Sequence, residues 1–187
     1  MSKLGYREKM LKLYNEKIQI IEGDLKDISL SDITYRFLTN ISEIRELMED
    51  VFDTPFWEDV LENNIIEERL REGGDFIVFE IKEIPFGLVS LSSEEDEERE
   101  IYQFDIEDFL FGRNNGLGEK VVDLLRCKIY SDEMLFGYAV SESVKFWSRH
   151  ADLYDAEVYE SMKEEHIADG GEEDELFEVE GLMYFEL

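Results

Sequence analysis

The sequence predicts a mixed α/β (α+β) domain with a mainly antiparallel sheet and flanking helices. Three observations lead there. Three strand-like runs, 76–81, 86–92 and 100–108, follow one another with only turns between them, the pattern of an antiparallel meander. Runs with apolar residues at helical spacing stand before and after that meander. A chain of 187 residues with 43 % apolar and 13 % aromatic side chains can bury one sizeable core, so a single domain is expected over 1–187.

The chain opens with a helix expected over 3–21, where Leu4, Met10, Leu11, Leu13, Tyr14, Ile18 and Ile21 recur near a period of 3.6 before Gly23-Asp24 ends it. Residues 1–24 then form an N-terminal helical extension that packs on the domain or on a second subunit, which leaves room for a homodimer. Residues 33–39, β-branched and aromatic, form the first strand. Thr39-Asn40 offers a cap for a helix over 41–52. Asp53-Thr54-Pro55 breaks it and starts a second helix, which stops at Gly73-Gly74.

In the meander, 82–85 is a turn and Ser93–Arg99 is a charged, solvated hairpin tip. A helix is expected over 117–130, a strand over 133–140, and a helix over 142–152 capped by Ser141. A strand over 155–161 and a mobile acidic loop over 163–175 follow, and a strand over 176–187 closes the chain.

Forty-eight acidic residues against 19 basic ones give a net charge of −29. That balance argues against direct binding to nucleic acid or to an anionic membrane, and favours cationic partners such as polyamines, amino sugars or lysine-rich proteins. Solubility alone is the plainer explanation, and an acidic decoy that mimics nucleic acid is a further one. Cys127, the single cysteine, has no partner for an internal disulfide, so a reducing, cytoplasmic setting is expected. Met1-Ser2-Lys3 leads into alternating charge rather than the apolar core of a signal peptide, and no apolar run has the length of a membrane span. His150 and His166 lack metal-ligand spacing, so no metal is expected.

The chemistry concentrates at Phe111-Gly112-Arg113-Asn114-Asn115-Gly116-Leu117-Gly118, between the last meander strand and a helix. Two glycines let the backbone turn and present its N–H groups, and the helix start adds a positive end. Together they suit a phosphate or pyrophosphate.

This order of elements, with Arg113-x-x-Gly116-x-Gly118 after the third meander strand, resembles the GCN5-related N-acetyltransferase (GNAT) family over roughly 33–187. The stretch Glu142–Asp152 is similar to that family's late helix. The resemblance implies a splayed central strand pair and the GNAT-like acyl-CoA N-acyltransferase fold. It also implies acetyl-coenzyme A as co-substrate and acetyl transfer to a primary amine by direct attack. The backbone of Arg113, Asn114, Asn115, Gly116, Leu117 and Gly118 would hold the pyrophosphate, and that of Phe104, Asp105 and Ile106 the pantetheine arm. Ser143 and Trp147, on the late helix, would stand beside the cofactor.

Trp147 falls where the family usually has a proton-donating tyrosine, and indole is no general acid near neutral pH. Tyr154, Tyr138 and Ser143 are the substitutes. Glu100, Asp105 and Glu107 are the candidate bases, with Glu100 and Asp105 preferred. Alternation along the strand sets Asp105 and Glu107 on one face and Glu100 on the other unless a bulge intervenes. The departures also fit a catalytically degenerate, GNAT-like binding protein.

Overall fold

The structure, a computed structural model, describes residues 28–52, 64–95, 97–106, 116–139, 143–153 and 183–187. The expected helix over 3–21, the start of the second helix, the strand over 155–161 and the loop over 163–175 lie outside them.

Strand β1 (Ile33–Phe37) leads through Asn40 into helix α1 (Ile41–Asp50). The Asn40 side chain accepts hydrogen bonds from the N–H groups of Ser42 (2.9 Å) and Glu43 (3.3 Å), satisfying two donors of the first turn. Helix α2 (Ile65–Arg71) precedes β2 (Asp75–Ile81) and β3 (Ile84–Leu91). Every residue of β3 is buried, as a strand at the centre of a covered sheet requires. The β2–β3 turn is tighter than the sequence suggests. Lys82 and Glu83 both take positive φ (51° and 66°), so two residues suffice, and Ile84 and Pro85 already belong to β3. Phe86 stands out of register beside Pro85, and a bulge is one of the few places a strand tolerates proline.

After β4 (Glu98–Ile106) come α3 (Leu117–Leu124), a π-helical turn over Leu125–Ile129, β5 (Met134–Ala139) and α4 (Val144–Trp147). The chain closes with β6 (Asp152–Leu153) and β7 (Met183–Glu186). Two expectations are corrected. The helix over 117–130 is not α-helical throughout, and the helix over 142–152 is one short turn, continued by hydrogen-bonded turns to Ala151.

The seven strands order as β1-β2-β3-β4-β5-β7-β6, antiparallel except for the β4–β5 pair. The fold is thus mixed α/β (α+β) with a mainly antiparallel sheet. One face of the sheet packs Phe76, Val78 and Leu88 against Ile44 and Met48 of α1 and Ile66 of α2. The other packs Ile77, Phe79, Val89, Leu91, Ile101 and Leu135 against Leu117, Val121 and Val122 of α3 and Trp147 of α4.

Arg99 corrects a third expectation. It is not part of a solvated tip: it turns inward and donates to Asp75 Oδ2 (3.1 Å), to the Ser92 carbonyl (3.0 Å) and to Glu133. The Tyr130 hydroxyl donates to the same Asp75 oxygen (2.7 Å), and burial with this bond to a carboxylate pushes the phenol far above its usual range. The cluster ties the start of β4 to β2 and to the entry of β5.

Gly137 sits where that tie ends. A Cβ there would lie 2.8 Å from the Phe185 ring and 3.0 Å from the Ile101 carbonyl oxygen, closer than real side chains approach. Gly137→Ala is therefore expected to destabilise the fold by about 1–3 kcal/mol, read from the midpoint of urea unfolding.

Candidate functional site

The site begins with one extra residue. Ser90 of β3 pairs with Gln103 of β4, but the next residue, Leu91, pairs with Ile101. Tyr102 is therefore bulged out of the ladder. Opposed residues in a ladder share a face. Ile101 lies with Leu91 in the core under α3, Gln103 lies with Ser90 on the α2 side, and Asp105 lies with Leu88 on that same side. Strict alternation would put Glu100 and Asp105 on opposite faces. The bulge resets the phase and brings both to the α2 face.

Above the bulge the sheet opens. The β4–β5 ladder runs only from Glu98↔Met134 to Ile101↔Gly137. From there β4 continues to Ile106 along β3, while β5 continues to Ala139 along β7. Aromatic rings occupy the α3/α4 side of this parting. Trp147 stacks on Phe185 of β7 (3.9 Å between centroids, 13° between planes) and meets Phe104 of β4 edge-on at 5.1 Å. Phe146 touches both Phe104 and Trp147. These rings span from β4 to the strand paired with β5, so they hold the two edges at a fixed separation.

Trp147 is 4 % exposed, so its indole serves here as packing. Ser143 lies at the start of α4, where its carbonyl accepts from the N–H groups of Phe146 and Trp147. Gly116 takes φ +78° directly before α3, with open space where a Cβ would stand. Gly118 lies against the Phe146 ring, at 3.1 Å from the position of a Cβ. The helix start thus lies tight against α4, so a side chain at 118 would require the Phe146 ring to give by a few tenths of an ångström. Arg113, Asn114, Asn115, Glu107 and Tyr154 fall outside the described residues.

On the opposite face lies a cleft of about 390 Å³ lined by Ser92, Ser93, Glu95, Glu98, Glu100, Tyr102 and Phe136. Burial pushes the Glu100 carboxyl above its ordinary range, and the Arg69 guanidinium offsets this only in part. Arg69 lies over the Tyr102 ring, 4.1 Å from its centroid, and donates to Ser90 Oγ at 2.9 Å. Burial pushes the Tyr102 phenol up as well. A half-buried carboxyl with raised proton affinity, at the wall of a cleft, has the chemistry of a general base. Of the sequence candidates, Glu100 lines this cleft and Asp105 shares its face. Tyr102 and Arg69 were not foreseen: the bulge brings Tyr102 to this side, where Arg69 already stands on α2.

The fold matches solved structures of known type. An acetyltransferase from Thermus thermophilus superposes with a TM-score of 0.53 at 12 % identity, covering 82 % of this chain and 96 % of that one. The Campylobacter jejuni N-acetyltransferase PseH, in complex with acetyl coenzyme A, gives 0.50 at 13 % identity, covering 83 % and 97 %. A Bacillus subtilis acetyltransferase in complex with CoA gives the same four values. At these identities the likeness establishes the fold, and the splayed strand pair belongs to it. No protein-family model matches the sequence, and no curated protein matches it.

The Glu100 shift has a sign that can be tested. Its folded-state proton affinity exceeds that of the unfolded chain, so its ionisation costs stability as pH rises above the ordinary carboxylate range. Glu100→Gln is expected to raise the melting temperature relative to the parent at about pH 8, and the gap should close by about pH 4. Thermal unfolding at both values checks this.

Proposed function

We propose that this chain is an N-acetyltransferase that moves an acetyl group from acetyl-coenzyme A to a primary amine of a cationic small molecule or protein. The observation that carries the reading is the parting of β4 from β5 beyond Ile101↔Gly137, with an acidic cleft against it. A slender thioester arm fits between two strands that separate, and an amine fits a cleft walled by carboxylates.

The residues present suit the co-substrate. Gly116, turned by its positive φ and open on its outer side, starts α3 as a diphosphate site requires. In this reading the backbone of Arg113, Asn114, Asn115, Gly116, Leu117 and Gly118 grips the diphosphate, and the backbone of Phe104, Asp105 and Ile106 follows the pantetheine arm. Ser143 and Trp147 flank it from α4. When bound, acetyl-coenzyme A supplies an activated acyl group and a thiolate leaving group.

Glu100 takes the proton from the acceptor's ammonium group, so that the free amine can attack the acetyl carbonyl. Asp105, on the same face, is the second choice of base. The packed indole of Trp147 removes the usual proton donor, which leaves Tyr154, Tyr138 or Ser143 to protonate the thiolate. That same packing favours a second reading, a cofactor-binding protein without turnover.

Acetyl-coenzyme A is expected to raise the melting temperature of the parent and of Gly116→Asn, since asparagine tolerates the left-handed backbone. Gly116→Glu, which sets a negative charge in the cradle, should fold and lose the response. Release of free thiol in the presence of primary amines then separates turnover from binding alone. In that assay Glu100→Gln is expected to lower kcat/KM about 100-fold while leaving the thermal response to acetyl-coenzyme A intact.

A further inference from the structure

The strand bordering the parting carries a buried polar side chain whose donor end the fold does not use. Gln103, two residues beyond the Ile101↔Gly137 rung, is 7 % exposed, and its Nε2 is buried with no hydrogen-bond partner among the described residues. An amide donor left unpaired inside a protein costs free energy, so it calls for a role beyond packing. The other end of the amide is engaged. Arg69 Nη1 donates to Ser90 Oγ (2.9 Å) and reaches Gln103 Oε1 at 3.5 Å, and Ser90 is fully buried opposite Gln103 in the β3–β4 ladder. Exchanging the amide's N and O would set an NH2 group against the guanidinium, so the charge on Arg69 fixes which end is free. Arg69 is itself held over the Tyr102 ring. Nε2 is thus a donor set in place beforehand and polarised by a cation at the far end of its own amide.

In the acetyltransferase reading, Glu100 precedes Gln103 on β4, and the Phe104–Ile106 backbone that follows the pantetheine arm comes after it. The reacting carbonyl then lies between the base and the arm, beside Gln103. We propose that Gln103 is a further catalytic residue whose Nε2–H donates to the acetyl carbonyl oxygen of the thioester, with Arg69 and Ser90 as the positioning residues that aim it. The inference rests on the acetyltransferase reading. One ammonium proton goes to Glu100 before attack. The amine's electron pair then forms the C–N bond, and the carbonyl π pair moves onto oxygen, where Nε2–H stabilises the charge. That pair returns as the C–S bond breaks, and the nitrogen's surplus proton leaves with the thiolate, which becomes the thiol.

Isotope-edited infrared spectroscopy of the full chain, with acetyl-coenzyme A labelled with 13C at the carbonyl, tests it. The bound carbonyl stretch is expected to lie about 10 cm⁻¹ lower in the parent than in Gln103→Leu or Gln103→Met, because the donor weakens the C=O bond. Arg69→Met, which leaves the amide free to turn, should lose at least about half of that shift. In the thiol-release assay with primary amines, kcat should fall about 100-fold in both Gln103 variants while KM for acetyl-coenzyme A stays within about threefold. Because Nε2 has no partner in the free chain, both variants should melt no lower than the parent without ligand.

An equal carbonyl frequency in parent and variants, all still stabilised by acetyl-coenzyme A, overturns this assignment and leaves the transferase reading standing. Loss of folding in both Gln103 variants assigns the residue to the core and overturns it as well. A parent whose melting temperature ignores acetyl-coenzyme A removes the transferase reading, and the assignment with it. The full infrared shift without thiol release keeps Gln103 as the carbonyl donor and removes turnover.

Discussion

The single extra residue at Tyr102 is the constraint on which the rest of the structure depends. A β-bulge bends its strand and increases its twist. Here it stands one residue beyond the last rung of the β4–β5 ladder, so the bend falls where the two strands part. The same residue resets which side chains face which way. Without it, Glu100 and Asp105 would lie on opposite faces. With it, carboxylates gather on the α2 side while Phe104 and Ile106 remain with the core under α3.

Opening a sheet leaves main-chain groups beside a gap and separates side chains that would have packed. Two features offset that cost. Below the parting, Arg99 gathers Asp75, Glu133 and the Ser92 carbonyl, with Tyr130 sharing Asp75, so the start of the parallel pair is held by charge-assisted hydrogen bonds. Above it, Trp147, Phe146, Phe104 and Phe185 fill one side of the opening with rings in contact. The sheet is thus clamped at one end and wedged at the other, and the gap between is a defined shape.

Much of this was legible in the sequence, for reasons that differ by element. The meander announced itself because its strands are dense in β-branched and aromatic residues and broken by short polar turns. The α1 cap could be read from Asn40, because a side-chain oxygen before an amphipathic run has few other uses. Gly116 marked the start of α3 because a tight turn needs a residue at ease with positive φ. A bulge on this strand could be allowed for but not placed, because nothing in Ile101-Tyr102-Gln103 differs from an ordinary strand. The inward turn of Arg99 was hidden for a related reason: its partners Asp75 and Glu133 are remote in sequence, and a charged run looks solvated until its neighbours are known. Arg69 was hidden in the same way, since its place over Tyr102 exists only once the bulge does.

The position of β5 between β4 and β7 has a consequence for how the molecule comes together. The β2–β3–β4 meander closes through short turns, so its pairing is local. β5 meets β4 only after the chain has crossed over through α3, and meets β7 only when residues 183–186 return to it. Chain-closure entropy grows with such separations, which places the meander early and the β5–β7 half late in assembly. A chain emerging from the ribosome would therefore hold the acidic wall of its cleft ready while the facing wall was still unbuilt.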